Sequence, residues 1–259
     1  MKKLFTILVL FTMILSMTAQ TEKFYEWKNG TYTEREVIDI DSITFTLPFV
    51  SKEDNDIKPS IPEYAIDLGL PSRTLWADRN VGADSPEAYG DYFDWGETEP
   101  KINYSWNNYK WCEGTDNTIS KYCTDLSYGY NGFTDKKYIL DSEDDASFVN
   151  MGKEWRMPTK AEYEELLSKC TWDWTELNSE IGYKVTGPNG NSIIFPAAGS
   201  NNDSEASIYG KIGLYYSSSL CESAPYGAWY LIFYNSFERA CTMLHQNRCN
   251  GYTVRAVVR

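Results

Sequence analysis

The sequence predicts an α+β fold, with two helices and a mixed, mainly antiparallel sheet in a loop-rich domain that follows a short β segment. Only two stretches of the chain carry signals that start a helix, whereas short runs of β-prone residues recur throughout. Aromatic residues make up 15% of the 259 residues and hydrophobic residues 42%, which is enough apolar material for a packed core. The chain is therefore expected to be globular, with few helices and many loops.

The first 19 residues are predicted to be a secretory signal. Lys2 and Lys3 precede an apolar run, residues 4–17, and small residues follow at the end of the segment. A membrane anchor is the alternative, but the run is shorter than the roughly 20 residues that span a bilayer. No cysteine precedes Cys112, so the segment offers no acceptor for an N-terminal lipid. We expect a secreted, periplasmic or cell-surface product without a transmembrane segment in the mature chain.

Charge and histidine content exclude several classes of function. The chain has 24 Lys and Arg against 37 Asp and Glu, a net charge of −13. Removal of Lys2 and Lys3 with the signal leaves 22 basic against 37 acidic residues, a net charge of −15. Nucleic acid is therefore not an expected partner, because phosphate recognition needs clustered Lys and Arg. His245 is the single histidine, which excludes metal centres built from two or three imidazoles.

Residues 20–50 are predicted to form a short N-terminal β module. The dipeptide Asn29-Gly30 is typical of a hairpin turn, and β-prone residues flank it at 25–27 and 31–33. A segment of this size holds no substantial core of its own. It is therefore expected to dock onto another surface or to act as a spacer.

A charged, apolar-poor stretch separates this module from the rest of the chain. Residues 38–45 still have a β-prone pattern, but residues 51–61 are predicted to be an acidic linker. The remaining residues, 62–259, have a length typical of one domain. The predicted order is signal, β module, linker and a single C-terminal domain.

The first predicted helix of this domain begins at Ser142. Ser142 is typical of an N-cap, and the acidic residues 143–145 suit the positive end of the helix dipole. Phe148 and Val149 supply a face for burial, and Gly152 is predicted to end the helix.

The second predicted helix follows Thr159. Thr159 and Glu162 have the T-x-x-E spacing of a capping box, in which each residue satisfies a backbone donor of the other. Tyr163 and Leu166 are expected to be buried, and Lys169 suits the C-terminal end. Four further runs are predicted to be strands: residues 74–77, 192–195, 229–233 and 253–258.

The six cysteines are interpreted through the predicted export. An oxidising compartment lets cysteine pairs persist as disulfides, and six cysteines allow fifteen pairings. Cys112 and Cys123 flank a polar, turn-rich stretch and are the best local candidate for a disulfide. Closing a loop of that size stabilises the fold by roughly 3 kcal/mol in the chain-entropy model. Free thiols remain the alternative, and no C-x-x-C pair indicates zinc.

Five motifs follow one another along the C-terminal domain: DLGLPSRTLWA at 67–77, YGDYFDWGE at 89–97, EDDA at 143–146, WRMPT at 155–159 and GYTVR at 251–255. In this order they resemble the FISUMP, or major-paralogous-domain, family of secreted bacterial proteins. The resemblance covers residues 66–259 and implies a C-type-lectin-like fold related to formylglycine-generating enzymes. It also implies that the domain ends meet as an antiparallel pair, residues 66–70 against 253–257. A shared fold does not assign a chemistry.

The C-terminal tract has the most unusual composition in the chain. Along residues 229–234 one alternating set, Trp229, Leu231 and Phe233, is what a strand buries, yet the intervening residues are bulky as well. Composition favours a strand buried on both faces. The alternative is an exposed platform of tyrosines with neighbouring Ser and Asn, a mixture found on paratopes.

Resemblance adds weight to the exposed platform. The tract looks like the C-terminal variable region of lectin-fold proteins that are diversified by retroelements. The tyrosines are expected to stack on a glycan or protein ligand, and His245 and the asparagines to make polar contacts. The predicted ligand-binding residues are Tyr226, Tyr230, Ile232, Tyr234, Leu244, His245, Asn247, Asn250 and Tyr252.

The residues do not favour enzyme function. A thiol nucleophile needs a base within hydrogen-bond reach, and His245 lies four residues from both Cys241 and Cys249. The related formylglycine-generating enzymes use cysteines for copper, but the seven residues between Cys241 and Cys249 depart from the closely spaced pair such a site is expected to show. We predict no catalytic residue and no cofactor.

A metal site is likewise not predicted. Lectin-type folds often bind sugar through calcium on a Glu-Pro-Asn motif, but Glu99-Pro100 is followed by Lys101. A structural ion remains an alternative, with the carboxylates of Asp91, Asp94 and Glu97 as its ligands.

The sequence therefore predicts a secreted, non-catalytic ligand-binding protein whose C-terminal tract forms the recognition face. Two alternatives belong to other classes. One is an oxidase similar to the formylglycine-generating enzymes, and the other is a structural envelope or appendage subunit that assembles through its N-terminal strands.

Overall fold

The computed structural model describes residues 23–28, 31–36, 61–201, 208–235 and 241–258. These fall into two units, one within residues 1–58 and the other within residues 59–259. The first contains an antiparallel hairpin of β1 (Lys23–Lys28) and β2 (Thr31–Glu36), in which Lys23 pairs with Glu36 and Lys28 with Thr31. The predicted hairpin strands are confirmed.

Several expectations lie outside the described residues. They are the signal (residues 1–19), the turn at 29–30, the second β-prone run (38–45) and linker residues 51–60. The elements of the second unit are β3 (Ala65–Asp67), β4 (Leu75–Asn80), β5 (Tyr92–Phe93), α1 (Ala146–Met151), β6 (Trp155–Arg156), α2 (Lys160–Lys169), β7 (Thr171–Leu177), β8 (Glu180–Thr186), β9 (Ser192–Pro196), β10 (Ile212–Leu220), β11 (Gly227–Tyr234), β12 (Cys241–Asn247), β13 (Tyr252–Thr253) and β14 (Arg255–Val258).

The strands described in the second unit form three sheets. Their orders are β12-β11-β10-β13-β5, β3-β4-β14-β6 and β7-β8-β9. Pairing is antiparallel except between β10 and β13, which run parallel where Tyr215 meets Thr253. Two α-helices accompany these mixed, mainly antiparallel sheets in the described residues. The predicted α+β class is confirmed.

The expected pairing of the domain ends is wrong. β3 pairs with β4, with Ile66 opposite Trp76, and β4 in turn pairs with β14, where Trp76 meets Val257. β4 therefore lies between the two strands that were expected to meet. A local turn explains this, because the Arg73 amide donates to the Leu70 carbonyl and returns the chain at once. Short loops close at a smaller entropic cost than long ones.

The first helix begins later than predicted. Residues Ser142–Asp144 form a short 3-10 turn, and Asp145 is the N-cap of α1. Its carboxylate accepts from the amides of Ser147 at 2.9 Å and Phe148 at 3.2 Å. Asp145 is better placed than Ser142 because its carboxylate reaches two orphan amides. Val149, expected to be buried, is 50% exposed.

The second helix matches its prediction. The Glu162 amide donates to Thr159 Oγ1 at 3.3 Å, and the Thr159 amide donates to Glu162 Oε2 at 2.8 Å, which completes the capping box. Tyr163 and Leu166 are buried. Arg156 forms a two-pronged ion pair with Glu162, at 2.7 and 2.5 Å, and so anchors the start of α2 to β6.

Two core clusters lie on opposite faces of the five-stranded sheet. Leu231 and Phe233 of β11 belong to the first cluster, with residues of α2, β8 and β9. Tyr230 of β11 belongs to the second, with Trp95 and Tyr252. The strand is therefore buried on both faces along most of its length, as composition favours. Each large side chain buried in this way contributes roughly 1.5–3 kcal/mol.

Candidate functional site

The register of β11 and β12 divides the predicted ligand-binding residues between two faces. Trp229 pairs with His245, and Tyr230 pairs with Leu244. Because neighbouring side chains of a strand alternate between faces, Trp229 and His245 lie on one side of the sheet and Tyr230 and Leu244 on the other. The predicted residues therefore do not form one surface.

Tyr230 and Tyr252 lie in the core. They are 6% and 5% exposed, and their ring centroids are 5.0 Å apart. Tyr216 completes the stack at 4.7 Å from Tyr252. Asn250 supports this group, because its side-chain amide donates to the Tyr252 hydroxyl at 3.0 Å. The expected exposed platform is thus contradicted at Tyr230 and Tyr252, where aromatic packing on the second face covers both rings.

The remaining residues of that face differ in exposure. Ile232 is half-buried against the second core cluster, together with Ile212. Tyr234 is half-buried opposite Ile212 in the register. Leu244 is 45% exposed on the outer strand. Of the predicted apolar contacts on this face, Leu244 is the one with substantial exposure.

Two groups of side chains lie near the Gly227 end of β11, and we call them together the aromatic end: Trp229 with His245 and Lys160, and Tyr226 with Tyr128. The rings of Tyr128 and Tyr226 lie 5.5 Å apart at a 43° angle. Trp229 and His245 meet edge to face at 5.3 Å. The Lys160 ammonium lies 3.7 Å from the centre of the Trp229 ring, which is cation–π distance. His245 is exposed, and the three other rings are half-buried.

Backbone geometry brings the aromatic end together. Gly227 pairs with Asn247 where β11 begins and β12 ends, and the Arg248 amide donates to the Tyr226 carbonyl at 3.1 Å. A side chain at Gly227 would place its Cβ 3.2 Å from Nδ1 of His245, so glycine leaves the imidazole its space. Lys160 begins α2, where its amide donates to Ser219 Oγ at 3.0 Å.

Sequence reasoning missed three members of the aromatic end. Alternation assigned Trp229 to the buried set with Leu231 and Phe233, yet Trp229 belongs to neither core cluster. It lies near the start of the strand, on the face where Leu231 and Phe233 are the β11 members of the first cluster. Lys160 and Tyr128 are far away in sequence, and no local pattern connects them with β11. Only their contacts with Trp229 and Tyr226 reveal them.

β12 separates Cys241 from His245, and the Cys249 thiol is buried. Cys241 and His245 lie four residues apart on β12, which corresponds to roughly 13 Å along an extended strand. Burial raises the pKa of the Cys241 thiol to about 12 and that of Cys249 to about 12. Burial therefore disfavours the thiolate form of both cysteines, which is the form that acts as a nucleophile.

The disulfide expected between Cys112 and Cys123 is absent. All six cysteines of the chain are free thiols in the structure. Sγ of Cys112 donates to the Trp106 carbonyl at 3.2 Å, whereas Sγ of Cys123 donates to the Asp125 carbonyl at 3.1 Å. Each sulfur atom thus has its own backbone acceptor, and flanking a common turn did not suffice to pair them.

An ammonium group lies where a structural ion was considered. Nζ of Lys101 lies 2.8 Å from Asp94 Oδ2, 2.7 Å from the Glu97 carboxylate and 2.6 Å from the Asn108 carbonyl. Asp91 stands apart, with its carboxylate against Gly82. Burial raises the pKa of Asp94 to about 7, although the contact with Lys101 lowers it.

Neither metal-ligand geometry in the described residues nor similarity to known proteins indicates a function for the chain. Within the described ranges, no group of three or more His, Cys, Asp or Glu residues is arranged to hold a metal ion. No family model, curated protein or solved structure matches the chain. In the part of the chain that the structure describes, no helix combines the length and apolar character needed to cross a membrane.

Proposed function

We propose that this chain is an exported, non-catalytic ligand-binding protein with a C-type-lectin-like domain of the FISUMP type, and that the aromatic end is its recognition surface. The observation that carries the proposal is Trp229. This large aromatic side chain lies outside both core clusters and is flanked by the Lys160 ammonium and the exposed His245. An aromatic group without a core role and with polar neighbours is typical of recognition surfaces.

A glycan is the ligand class that these side chains fit best. Tyr226 and Tyr128 present half-buried rings at one end of a sheet, and sugar rings stack on such aromatic faces through their C–H groups. His245, Lys160 and Asn247 supply polar groups for hydroxyls beside the rings. A protein ligand is the alternative within the same proposal, since tyrosine and tryptophan are also enriched at protein interfaces.

Two alternatives from other classes receive less support. An oxidase of the formylglycine-generating type is expected to have a closely spaced cysteine pair, and seven residues separate Cys241 from Cys249. An appendage subunit would assemble through the N-terminal β module, and the β1–β2 hairpin by itself does not favour it.

The retroelement resemblance is part of the proposal in a narrower form. Diversification of the tract would be tolerated at exposed positions such as Leu244 and His245 and would be costly at the buried Tyr230 and Tyr252. Sequencing the 3′ end of the gene in a growing population tests this. Substitutions no denser there than elsewhere would contradict active diversification.

The recognition surface is tested by removing its rings. We expect Trp229→Ala combined with Tyr226→Ala to weaken binding to the best oligosaccharide on a glycan array by more than about tenfold, which is about 1.4 kcal/mol. Tyr209→Ala is the matched control, because Tyr209 is 37% exposed and stacks on Tyr89 away from the aromatic end. Circular dichroism verifies folding. Unchanged binding by the double variant would refute the proposed surface, and binding of no oligosaccharide would leave the protein ligand.

A further inference from the structure

The outer strand of the five-stranded sheet has an open edge. β12 is the first strand in the order β12-β11-β10-β13-β5, and all seven of its residues pair with β11 on one side. Among the described residues, no strand pairs with its other side. The sequence of β12 is CTMLHQN, without Asp, Glu, Lys, Arg or Pro, in a chain of which 24% is charged. An open edge is a template for pairing with another strand.

The other described edge strands carry the usual protections against such pairing. β7 contains Asp173 and Glu176, and β9 ends in Pro196. β3, β5 and β6 are three residues long or shorter. Both strands of the N-terminal hairpin contain charged residues. Charge, proline and shortness are the devices that keep edge strands apart, and β12 alone among these described edges has none of them.

Leu244 marks the middle of this unprotected edge. It is the central residue of Cys241–Asn247 and is 45% exposed, while His245 and Gln246 beside it are exposed as well. An exposed leucine on an open strand adds apolar area to what backbone pairing alone would bury.

We propose that β12 pairs antiparallel with β12 of a second copy of this chain across a two-fold axis at Leu244. In this register Leu244 lies opposite its own copy, and Met243 lies opposite His245 of the second copy. A two-fold interface of this kind uses the same surface on both chains. It joins two five-stranded sheets into one and satisfies the edge amides and carbonyls.

The sequence of β12 argues for a second copy as the occupant, because in the two-fold register Leu244 lies opposite Leu244 and the strand CTMLHQN brings no Asp, Glu, Lys or Arg to the contact. Each exported chain carries 22 basic against 37 acidic residues, so elsewhere the surfaces of two copies repel each other and oppose the pairing. β12 brings two copies together without any ionised carboxylate or ammonium at the contact. This inference goes beyond the proposed function, and its consequence is bivalence, since a dimer carries two aromatic ends and gains avidity for a multivalent ligand.

Sedimentation equilibrium of the chain from residue 20 onward tests the pairing. We expect a monomer–dimer equilibrium that shifts toward dimer as salt rises from about 0.01 M to about 1 M, because the Debye length falls from about 30 Å to about 3 Å and screens the repulsion between copies. Leu244→Lys is expected to be monomeric at every salt concentration. Leu177→Lys is the matched control, a 39% exposed leucine at the end of β7, and is expected to dimerise like the wild type.

A cross-link provides the second measurement. Residues directly opposite in antiparallel strands have Cα atoms about 4.5–5.5 Å apart, within the range for a disulfide. Leu244→Cys is therefore expected to form a covalent dimer on mild oxidation, and Leu177→Cys to form none beyond the wild-type level. A monomeric wild type, a Leu244→Lys variant that dimerises normally, or a dimer that dissociates as salt rises would each overturn the proposal. Glycan binding per chain is scored separately, so failure of one proposal is distinguishable from failure of the other.

Discussion

β11 and β12 lie side by side, and neither contains a charged residue, yet they have opposite roles in the fold. Every residue of β11 is buried or half-buried, whereas three of the seven residues of β12 are exposed. β11 has a strand on each side and a core cluster on each face, whereas β12 has one strand neighbour among the described residues. The difference shows that position in the sheet, more than composition, separates a core strand from a surface strand.

Two leucines give the largest expected contrast between these strands. Leu231→Ala on β11 removes a fully buried side chain and is expected to lower the free energy of unfolding by about 2–5 kcal/mol. Leu244→Ala on β12 is expected to change it by less than about 0.5 kcal/mol when measured on dilute, monomeric protein. Urea unfolding measures both. Equal losses would mean that the edge strand is as well packed as its neighbour.

β5 forms the opposite edge of the same sheet, and it is followed by the buried carboxyl group of Asp94, whereas β12 contains no acidic residue. Asp94 directly follows β5, and burial raises its pKa to about 7, well above the value of about 4 in an unfolded chain. The folded protein therefore binds this proton more tightly than the unfolded chain does. Stability is expected to fall by up to a few kcal/mol as pH rises from about 4 to about 7.

Asp94→Asn tests this assignment because the amide does not titrate. The stability of the Asp94→Asn variant is expected to fall less steeply than that of the wild type over the same pH range, as measured by thermal unfolding at a series of pH values. Asp116→Asn, at an exposed carboxylate, is the control and is expected to keep the wild-type slope. A wild-type slope in Asp94→Asn would show that other groups cause the pH dependence.

Gly213 and Gly227 differ in how much space their surroundings leave for a side chain. An alanine Cβ at Gly213 would lie 2.0 Å from the buried Phe233 ring, so Gly213→Ala is expected to cost about 1–3 kcal/mol through overpacking. At Gly227 the nearest atom is Nδ1 of the exposed His245, at 3.2 Å. Because that ring can turn toward solvent, Gly227→Ala is expected to cost less than about 1 kcal/mol.

For ligand binding we expect the opposite order, with the larger effect from Gly227→Ala and the smaller from Gly213→Ala. Gly227→Ala displaces His245 from the aromatic end and is expected to weaken ligand binding, whereas Gly213→Ala is expected to leave the binding of the folded fraction unchanged. Chemical denaturation and titration with the bound oligosaccharide separate the two effects. Loss of binding in Gly213→Ala alone would place the recognition surface elsewhere.

Local signals predicted local structure well in this chain. The Thr159–Glu162 capping box lies within four residues, and its hydrogen bonds form as the spacing requires. The same reasoning misplaced the N-cap of α1. Ser142 and Asp145 both fit the local pattern of a cap, but it is the Asp145 carboxylate that accepts from the first amides of the helix. The α+β class, the N-terminal hairpin, the four strand runs at 74–77, 192–195, 229–233 and 253–258, and α2 are predictable from such patterns.

The candidate site was less predictable, because its contacts join distant parts of the chain. Tyr226, His245 and Asn247 could be selected from one stretch of sequence, but Tyr128 and Lys160 have no signal there. Tyr230 and Tyr252 fit the same composition and lie in the core. A tyrosine-rich tract does not indicate which of its rings are covered.

By itself, the sequence determined the net charge, the single histidine, the order of β-prone runs and the start of α2, because these depend on composition or on hydrogen bonds between near neighbours. The tertiary structure alone decided that Trp229 lies outside the core, that Lys101 lies between Asp94 and Glu97, and that β12 is an edge. Burial and strand order are properties of the packed chain, set by residues far apart in sequence.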